Sequence, residues 1–585
     1  MKLLKQRDAV ASSVVASNAT PFHDGGLLTV IAGRPRWRSS QLEDLASARS
    51  DSVALAHAYR HSGVDFCDLL TGTFALAILD ERADRTVLAI DRFGIGSLCY
   101  ALSPDNHLVF GPTADTVADL AGSRPLSAQS VYRYLYYHVV PSPDTIYQDV
   151  FKLEPGQIVE YHGGIVQTRQ YWRPVFARRA PTAIKTLERD LIAVLRSSVR
   201  RTAPNGNTGA FLSGGLDSTT ICGMAQEYSD GQLTAYTASF PQPGYDESHY
   251  ARIASECFGL DLRDFLVTPG DVAQTIPVVA AAYDEPFGNS SAVPAYLCAV
   301  RAVDDGLTSL LAGDGGDELF GGNQRYAKQQ LFELYRRLPG TFRERLLEPL
   351  LFSPAAELTK LTRKGRSYVE QARLPMPERL QTYNFLHMVR PEKVLSSSFN
   401  DIIDVELPIR EMRTWYSRCE DSGLINRMLQ FDWKLTLADN DLRKVNRMCQ
   451  AAGITVQYPF LDDEVVEFST RVPSDLKIRR YQLRHFYKKA LSGYLPRRII
   501  DKEKHGFGLP FGEWLRTDRT LRNRAENAFA SLGERGIFRN TFLDDLLAKH
   551  RDEHAAFYGN IVWVVMMLEE WLQAHRPDTT VRTLV

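Results

Sequence analysis

Residues 209–218 constrain the fold of this chain more than any other segment. An apolar run at 209–212, typical of a buried strand, leads into the turn Ser213-Gly214-Gly215, and a helix follows through 219–224. Two adjacent glycines allow a sharp turn and a close approach of the backbone to a ligand. A strand that passes directly into a helix is the repeating unit of a parallel sheet, so this segment predicts an α/β architecture.

The alternation of strands and helices continues on both sides of this segment. Apolar strands that alternate with helices indicate a parallel sheet covered on both faces. The predicted elements are helices near 183–200 and 247–258 and strands at 234–240, 265–267 and 309–312. Beyond about residue 325 the pattern is mostly helical, with long charged faces.

The chain before residue 175 has a different pattern. Short apolar runs between turn residues indicate strands. Such runs occur at 27–31, 74–79 and 86–90. A further pair, at 157–161 and 166–168, flanks His162-Gly163-Gly164 and predicts a hairpin.

A polar segment broken by prolines, at 173–181, is the predicted linker between the two patterns. At 585 residues the chain is too long for one hydrophobic core. We therefore predict an α/β protein with an N-terminal α+β domain at 1–178. The second predicted domain, at 179–585, has a doubly wound parallel sheet and a helical extension.

The charge balance and the cysteines restrict the partners and the compartment. Lys plus Arg number 69 and Asp plus Glu number 70, so the net charge of −1 gives no general attraction to nucleic acid or to anionic lipid. No apolar run approaches the roughly 18 residues of a membrane span, and no signal peptide is recognisable. Seven scattered cysteines without a CxxC pair predict reduced thiols. These features predict a cytoplasmic protein without nucleic-acid or membrane partners.

Residues 212–218 have the composition of a phosphate-binding loop. The helix N-terminus offers unpaired N–H groups to an anion, and the hydroxyls of Ser213 and Ser218 add donors. The loop is not of the GxxxxGK[ST] type, because it lacks the lysine at its end. Asp217 would repel phosphate unless a divalent cation lay between them, so the loop predicts Mg²⁺.

A second acidic, glycine-rich loop follows the predicted strand at 309–312. Its sequence is Gly313-Asp314-Gly315-Gly316-Asp317, and a helix follows again. In parallel sheets, ligands bind beyond the carboxyl ends of the strands, where the strand order switches. We therefore expect Asp217 and Asp317 to face one site and to share Mg²⁺ bound to the pyrophosphate of a nucleotide.

A third motif is the basic turn Lys502-Glu503-Lys504-His505-Gly506-Phe507-Gly508-Leu509-Pro510. The glycines make the turn adaptable. Lys504 beside them is suited to neutralise charge that develops on pyrophosphate or on a tetrahedral oxyanion.

The three loops together resemble those of the asparagine synthetase family, whose ligase domain has the N-type ATP pyrophosphatase fold. Two further segments, 441–448 and 458–462, are similar to that family as well. Residues 72–77 and 91–95 resemble the family's glutaminase domain, which has an Ntn-hydrolase-like fold. The resemblance covers nearly the whole chain and implies an AMP-forming carbon–nitrogen ligase that uses ATP and Mg²⁺.

The resemblance also implies roles for individual residues. Asp217 and Asp317 would bind Mg²⁺. Lys504 would contact pyrophosphate and the transition state, and Asp314 is the second catalytic candidate. The implied ATP-binding residues are Leu212, Ser213, Gly214, Gly215, Asp217, Ser218, Ser239 and Gly313.

The chain departs from the family at its N-terminus. Glutaminases of this class use an N-terminal cysteine, whereas Met1 and Lys2 begin this sequence and Cys67 is its first cysteine. We expect no glutamine hydrolysis, a first domain retained as a scaffold, and an amine from another source.

Family members that lack that cysteine and form bonds to larger amines include β-lactam synthetases and lasso peptide cyclases. Residues 137–147, 152–156 and 171–172 look most like the lasso cyclases, and similar stretches occur in other amidotransferase-like relatives. Thr455 stands where β-lactam synthetases have a catalytic Glu, and Asp314 stands where they have its partner Tyr, which argues against a β-lactam product. The base therefore stays unassigned, with Asp314 as the nearest candidate and an unassisted amine as the alternative.

Lasso peptide cyclisation is the leading functional hypothesis. The resemblance implies adenylation of an Asp or Glu side chain of a ribosomal peptide, then attack by the peptide's N-terminal amine to give a macrolactam. It implies a precursor peptide as substrate, and a leader peptidase and a leader-binding protein as partners. Three alternatives are an amidotransferase-like ligase for a small carboxylic acid, a tRNA-modifying ATP pyrophosphatase and a nucleotide-binding scaffold. The tRNA-modifying class usually needs a cysteine pair or a basic face, and neither is visible.

Overall fold

The described residues form two antiparallel sheets and one parallel sheet. The computed structural model describes residues 19–203, 207–353, 360–382, 384–419, 423–503 and 508–585. Within these residues the antiparallel strands occupy the N-terminal part, and the parallel strands lie in the part after residue 183. This confirms the predicted fold class.

The N-terminal part contains antiparallel sheets and the helices that pack on them. Its strands are β1 (Phe22–Asp24), β2 (Leu27–Trp37), β3 (Leu70–Asp80), β4 (Arg85–Ile90), β5 (Cys99–Leu102), β6 (Leu108–Gly111), β7 (Val150–Lys152), β8 (Gln157–His162) and β9 (Ile165–Gln170). Its α-helices are Ser40–Ala48, Asp51–Ser62, Ala114–Leu120 and Ala128–Tyr137. The sheet orders are β1-β2-β3-β4-β8-β9 and β6-β5-β7. β8 and β9 form the predicted hairpin.

Strand β3 shows why this part folds as layers. Its side chains alternate between the two faces of the sheet, as the pleat requires. Leu76 and Ile78 belong to the core that holds the helices over residues 40–62. Ala77 and Leu79 belong to the core shared with β5 and β6. Because both faces are apolar, the larger sheet is covered on both sides.

The parallel sheet has five strands in the described residues. They are β10 (Thr208–Phe211), β11 (Thr234–Ser239), β12 (Asp261–Leu266), β13 (Ser309–Leu311) and β14 (Thr455–Gln457), in the order β12-β11-β10-β13-β14. All neighbouring pairs are parallel. The direction of winding switches between β10 and β13, and such a switch point opens a crevice beyond the strand ends.

Two strand predictions differ from the structure. The strand predicted at 265–267 begins earlier, at Asp261, and ends at Leu266. In the sheet formed by the described residues β12 is an edge strand, where charged side chains such as those of Arg263 and Asp264 are common. β14 was not predicted, since three residues with a half-polar pattern carry little strand signal.

Helices surround the parallel sheet and form the rest of the chain. The α-helices up to β13 are Ile184–Thr202, Leu216–Gln226, Ser248–Phe258, Pro269–Ala282 and Ala292–Asp304. Those after β13 are Gly316–Phe320, Gln324–Arg337, Gly340–Phe342, Glu348–Leu351, Lys360–Arg373, Phe385–Val389, Pro391–Val394, Ser397–Asn400, Leu407–Ser417, Gly423–Asp432, Arg443–Ala452, Asp463–Arg471, Ser474–Lys477, His485–Ala490, Arg497–Ile500, Phe511–Thr517, Arg519–Arg535, Asn540–Asp552 and Ala555–His575. Segments Arg343–Leu347 and Trp433–Leu442 are π-helical. Within the described segments, no helix is both long enough and apolar enough to span a membrane.

A buried ionic cluster joins β7 to the parallel-sheet part. Lys152 Nζ donates to Glu285 Oε2 and to the carbonyl of Val140, both at 2.6 Å. Arg443 approaches Glu285 at 2.6 Å and Asp284 at 2.8 Å.

The segment 173–183, which contains the predicted boundary at 178, has neither helix nor strand.

Candidate active site

The two acidic loops lie against each other at the switch point. β10 and β13 are hydrogen-bonded neighbours, with Thr208 opposite Ser309, so the loops that follow them emerge side by side. A Cβ atom at Gly313 would lie 2.8 Å from the backbone N of Ser218. Only glycine allows this approach. The structure thus brings together the two loops that the sequence places after neighbouring strands.

The Ser213-Gly214-Gly215 turn is shaped by close packing. Gly214 has a φ of +68° and lies against Tyr250 and Ala251 of the helix Ser248–Phe258, where a Cβ would collide with backbone. Gly215 is the N-cap of the helix Leu216–Gln226. The hydroxyls of Ser213 and Ser218 are 3.1 Å apart and hydrogen-bonded, so both lie at the mouth of the turn.

A cavity of about 1250 Å³ opens beyond these loops. Its wall contains six of the predicted ATP-binding residues: Leu212, Ser213, Gly215, Asp217, Ser218 and Gly313. Gly214 packs against the neighbouring helix instead. Ser239 is not in the wall either, because its hydroxyl donates to the carbonyl of Phe265 at 3.1 Å, within the sheet. Tyr236, Thr237 and Ala238 of β11 line the cavity, and the sequence motifs did not identify them.

Arg484 joins the two aspartates that were predicted to bind Mg²⁺. Its Nη1 donates to Asp217 Oδ1 at 2.7 Å, and its Nη2 donates to Asp217 Oδ2 at 2.5 Å. Nη2 also pairs with Asp317. Burial, the largest influence, lowers the pKa of Arg484, but the carboxylate of Asp217 more than compensates, and the pKa lies above its usual value.

This pair of carboxylates fits a magnesium site of the nucleotide-dependent kind. Mg²⁺ is typically held by one or two carboxylates together with phosphate oxygens and water. Within the described residues no group of three or more His, Cys, Asp or Glu side chains is placed to hold a metal ion. The guanidinium of Arg484 already shows that the pair accepts a cation.

A second group of charged residues forms another part of the wall: Asp314, Glu318, Asp441 and Lys444. Lys444 Nζ donates to Asp441 Oδ1 at 2.9 Å. Burial raises the pKa of Asp314 to about 6, with Lys444 opposing and Asp441 reinforcing the shift. Burial also raises the pKa of Glu318 to about 8, reinforced by Asp441. A carboxyl group with a pKa near 6 is suited to accept a proton at neutral pH.

Asp441 and Lys444 lie where a π-helical segment ends. Trp433–Leu442 is π-helical and passes into the α-helix Arg443–Ala452. Local π-helix within a longer helix often occurs at functional sites. The resemblance of residues 441–448 to the family gives no role for Asp441 or Lys444. An Asp and a Lys three positions apart share one helix face, and this spacing was the available signal.

The third motif is only partly described. Lys504 lies outside the described residues. Immediately before it, Lys502 and Glu503 line the cavity, and Lys502 pairs with Glu247 at 3.1 Å. Burial lowers the pKa of Lys502.

Three residues bear on the departures from the family pattern. Thr455, at the start of β14, donates its hydroxyl to the carbonyl of Thr308 at 3.0 Å and does not line the cavity. In the N-terminal part, Cys67 and Cys99 are buried, and burial raises the pKa of both thiols. Neither thiol has the environment of a catalytic nucleophile, which needs a lowered pKa.

Comparison with known proteins places the chain in a family. Residues 190–573 match the family model described as asparagine synthase, and residues 38–172 match the model of a glutamine amidotransferase domain. The chain therefore belongs to the asparagine synthase family. It is an ATP-dependent carbon–nitrogen ligase that uses ATP with Mg²⁺.

Individual relatives have a low sequence identity to this chain, but the similarity covers most of its length. "Asparagine synthetase [glutamine-hydrolyzing] 1" of Bacillus subtilis (strain 168) is 24% identical over 532 residues, which cover 89% of this chain and 80% of the relative. "Putative asparagine synthetase [glutamine-hydrolyzing]" of Mycobacterium tuberculosis (strain ATCC 25618 / H37Rv) is 26% identical over 89% of this chain and 79% of its own length. "Amidase chry2" of Gibberella zeae is 21% identical over 85% of this chain and 79% of its own length.

Proposed function

We propose that this ligase closes a ribosomal peptide into a macrolactam, as lasso peptide cyclases do. The activated carboxylate is the side chain of an Asp or Glu in the peptide, and the attacking amine is the N-terminus of the same peptide. The reaction takes place in the cytoplasm. A leader peptidase and a leader-binding protein supply the peptide.

The volume of the cavity is the observation that carries this proposal. Pockets for drug-sized ligands measure about 300–1,000 Å³. The cavity beyond β10 and β13 measures about 1250 Å³, which leaves room for part of a folded peptide beside a nucleotide. A nucleotide and a free amino acid would fill less of this space than a nucleotide and a peptide.

Two groups of residues in the cavity wall have different roles in the proposed reaction: the loops with Asp217 and Asp317, and the group that contains Asp314. A carboxylate oxygen of the peptide attacks the α-phosphorus of ATP, and pyrophosphate leaves. The amine nitrogen then attacks the acyl carbon, AMP leaves, and Asp314 takes the proton of the amine. The backbone N–H groups at 213–218 hold the phosphates. Asp217 and Asp317 would hold Mg²⁺, which would neutralise part of the charge of the phosphates. Lys504 neutralises the charge that develops during each step.

Two features favour a peptide amine over the other amines used in this family. Thr455 has no carboxylate and uses its hydroxyl within the sheet, so the acidic partner used by β-lactam synthetases is missing from this position. Cys67 and Cys99, the thiols of the segment that matches a glutamine amidotransferase domain, are buried and have raised pKa values. Both features support an amine that arrives with the substrate rather than ammonia released from glutamine.

The second candidate is an amide ligase for a small carboxylic acid. It draws support from the names of the relatives, several of which are asparagine synthetases. This candidate places free aspartate or a similar acid beside the nucleotide and leaves much of the cavity to water.

Carboxylate-dependent ATP–pyrophosphate exchange separates the two candidates. Exchange is measured with short peptides that carry one internal Asp or Glu and a free N-terminus, and in parallel with free aspartate and glutamate. We expect exchange with a peptide only, together with AMP and a product lighter than the peptide by one water. Matched peptides with Asn or Gln in place of the acid are the control. Exchange with free amino acids alone would contradict the peptide proposal, and ADP instead of AMP would contradict both candidates.

A further inference from the structure

Arg484 is fixed to both acidic loops more firmly than a surface ion pair would be. Its two terminal nitrogens engage both oxygens of Asp217, at 2.7 and 2.5 Å, and one of them also engages Asp317. The Arg484 side chain is only 6% exposed. Bidentate pairing between a guanidinium and a carboxylate is both stronger and geometrically more specific than a single contact.

The surrounding backbone is built to place this guanidinium. Arg484 has a φ of +55°, which non-glycine residues seldom adopt, and it caps the helix His485–Ala490. Its backbone N donates to the carbonyl of Gly321 at 3.2 Å. A Cβ atom at Gly322 would collide with Arg484 Nε and with the carboxyl of Asp317, so glycine there leaves the space in which they meet. The position is therefore held by main chain as well as by charge.

One donor of this buried group is still unused. Arg484 Nε has no hydrogen-bond partner among the described residues. A buried donor without a partner is costly, and functional sites are where such groups persist. A ligand that enters the cavity with oxygen acceptors, as a nucleotide does, can satisfy it.

We propose that Arg484 takes the place of Mg²⁺ in the nucleotide-free enzyme and makes metal binding depend on ATP. Mg²⁺ requires carboxylate oxygens at about 2.0–2.1 Å in octahedral geometry, and both oxygens of Asp217 are engaged by the guanidinium. A metal ion at these oxygens would be repelled by the guanidinium, because both are cations. ATP brings additional oxygen ligands for the metal and negative charge for the displaced guanidinium, so metal and nucleotide bind together.

This inference rests on the proposed assignment of Mg²⁺ to Asp217 and Asp317, and it is tested without any peptide. Mn²⁺ serves as the probe, and the fraction bound to protein is measured by electron paramagnetic resonance, with and without a non-hydrolysable ATP analogue. Wild-type protein is compared with Arg484→Met and with Arg484→Lys, which keeps the charge. Arg201→Met is the matched control, because Arg201 also bridges two carboxylates, those of Asp462 and Glu464, away from the cavity wall.

The expected result is weak Mn²⁺ binding by wild type alone and tight binding with the analogue. Couplings between two ligands are typically about 5- to 150-fold, so we expect at least a fivefold gain in affinity for Arg484→Met without nucleotide. Arg201→Met should behave as wild type, and Arg484→Lys should bind Mn²⁺ less tightly than Arg484→Met. Adding Asp317→Asn to Arg484→Met should abolish the gain.

Equal Mn²⁺ affinity in wild type and Arg484→Met, both without nucleotide, would overturn the inference. A gain that survives Asp317→Asn would do so as well, because the metal would then lie elsewhere. Should Arg484→Met fail to fold, wild type decides alone: Mn²⁺ binding that is as tight without the analogue as with it overturns the inference. Peptide-dependent exchange is a separate readout, so failure of the peptide proposal is distinguishable from failure of this one.

Discussion

Gly313 and Ser218 are in backbone contact, although they belong to loops that follow different strands. A Cβ atom at residue 313 would lie 2.8 Å from the backbone N of Ser218 and 3.1 Å from the carbonyl carbon of Asp217. Both of these are main-chain atoms, which cannot rotate away as a flexible side chain can. The close spacing of the two acidic loops therefore depends on a glycine at position 313.

We expect Gly313→Ala to push the two loops apart and to weaken nucleotide binding. Overpacking of a close-packed site typically costs about 1–3 kcal/mol, which corresponds to an affinity loss of roughly 5- to 150-fold. Isothermal titration with a non-hydrolysable ATP analogue measures this loss. Gly231→Ala is the matched control, since nothing lies within 4 Å of a Cβ there and we expect unchanged affinity. Unchanged affinity in Gly313→Ala would show that the loops adapt.

Replacement of Asp217 should abolish ligase activity and also lower stability. Asp217→Ala removes a predicted metal ligand, and it leaves the buried guanidinium of Arg484 without its bidentate partner. Breaking a buried pair from one side typically costs about 3–5 kcal/mol. Asp317→Ala should abolish activity as well, with a smaller loss of stability, because the bidentate pair is kept.

A double variant separates the two effects of this aspartate. Asp217→Ala combined with Arg484→Met removes both charges, so we expect the thermal midpoint to recover toward wild type while activity stays absent. Activity and unfolding are measured on the same preparations. Near-normal turnover of Asp217→Ala at ordinary Mg²⁺ would contradict the metal assignment.

The sequence predicted those parts of the site that follow from local pattern. A strand, a glycine turn and a helix lie close together along the chain, so residues 209–218 indicated both the sheet and the loop. Arg484 lies 267 positions from Asp217, and no local pattern reports a contact over that distance. The same limit explains β14, whose three residues become a strand only beside β13.

A residue at the end of a strand does not necessarily point its side chain into the cavity. Ser239 ends β11, as expected of a ligand-binding position, yet its hydroxyl is bonded to Phe265 within the sheet. The residues of β11 that line the cavity are Tyr236, Thr237 and Ala238. Twist and strand order decide this, and neither can be read from a short motif.

The buried cluster around Lys152 and Glu285 should contribute unequally to stability. Glu285 has two cationic partners, Lys152 and Arg443, each at 2.6 Å. Lys152→Met leaves Glu285 paired with Arg443, whereas Glu285→Leu leaves Lys152 without a carboxylate partner among the described residues. We expect Glu285→Leu to cost about 3–5 kcal/mol and Lys152→Met to cost less.

Urea denaturation of both single variants and of the double variant measures this difference. The double variant should be more stable than Glu285→Leu alone, because it no longer buries the uncompensated ammonium. Equal losses of unfolding free energy in the two single variants would contradict the expectation that Glu285 contributes more to stability than Lys152.

Lys504→Ala should slow product formation far more than it weakens nucleotide binding. This prediction derives from the motif at 502–510. Loss of one preorganised, charge-stabilising donor costs roughly 10²- to 10³-fold in rate. The glycine loop and Mg²⁺ hold the ground state, so affinity for an ATP analogue should change little. Equal losses in rate and affinity would make Lys504 a binding residue only.

The last prediction concerns Asp314 as the proton acceptor. Burial raises the pKa of this carboxyl to about 6, and it accepts a proton only when ionised. Above about pH 6 the carboxyl group is ionised and can accept the proton. Below about pH 6 kcat/KM should fall tenfold per pH unit, because kcat/KM reports ionisations of the free enzyme.

Two variants separate Asp314 from its neighbour Glu318. Asp314→Asn cannot accept the proton, so we expect a rate loss of about 10²- to 10⁴-fold and the disappearance of the acid limb. The pKa of Glu318 is raised to about 8, so this group is mostly protonated at neutral pH, and Glu318→Gln closely mimics that form. We expect Glu318→Gln to retain activity and the limb near pH 6. An acid limb near pH 8 that disappears in Glu318→Gln would transfer the role of base from Asp314 to Glu318.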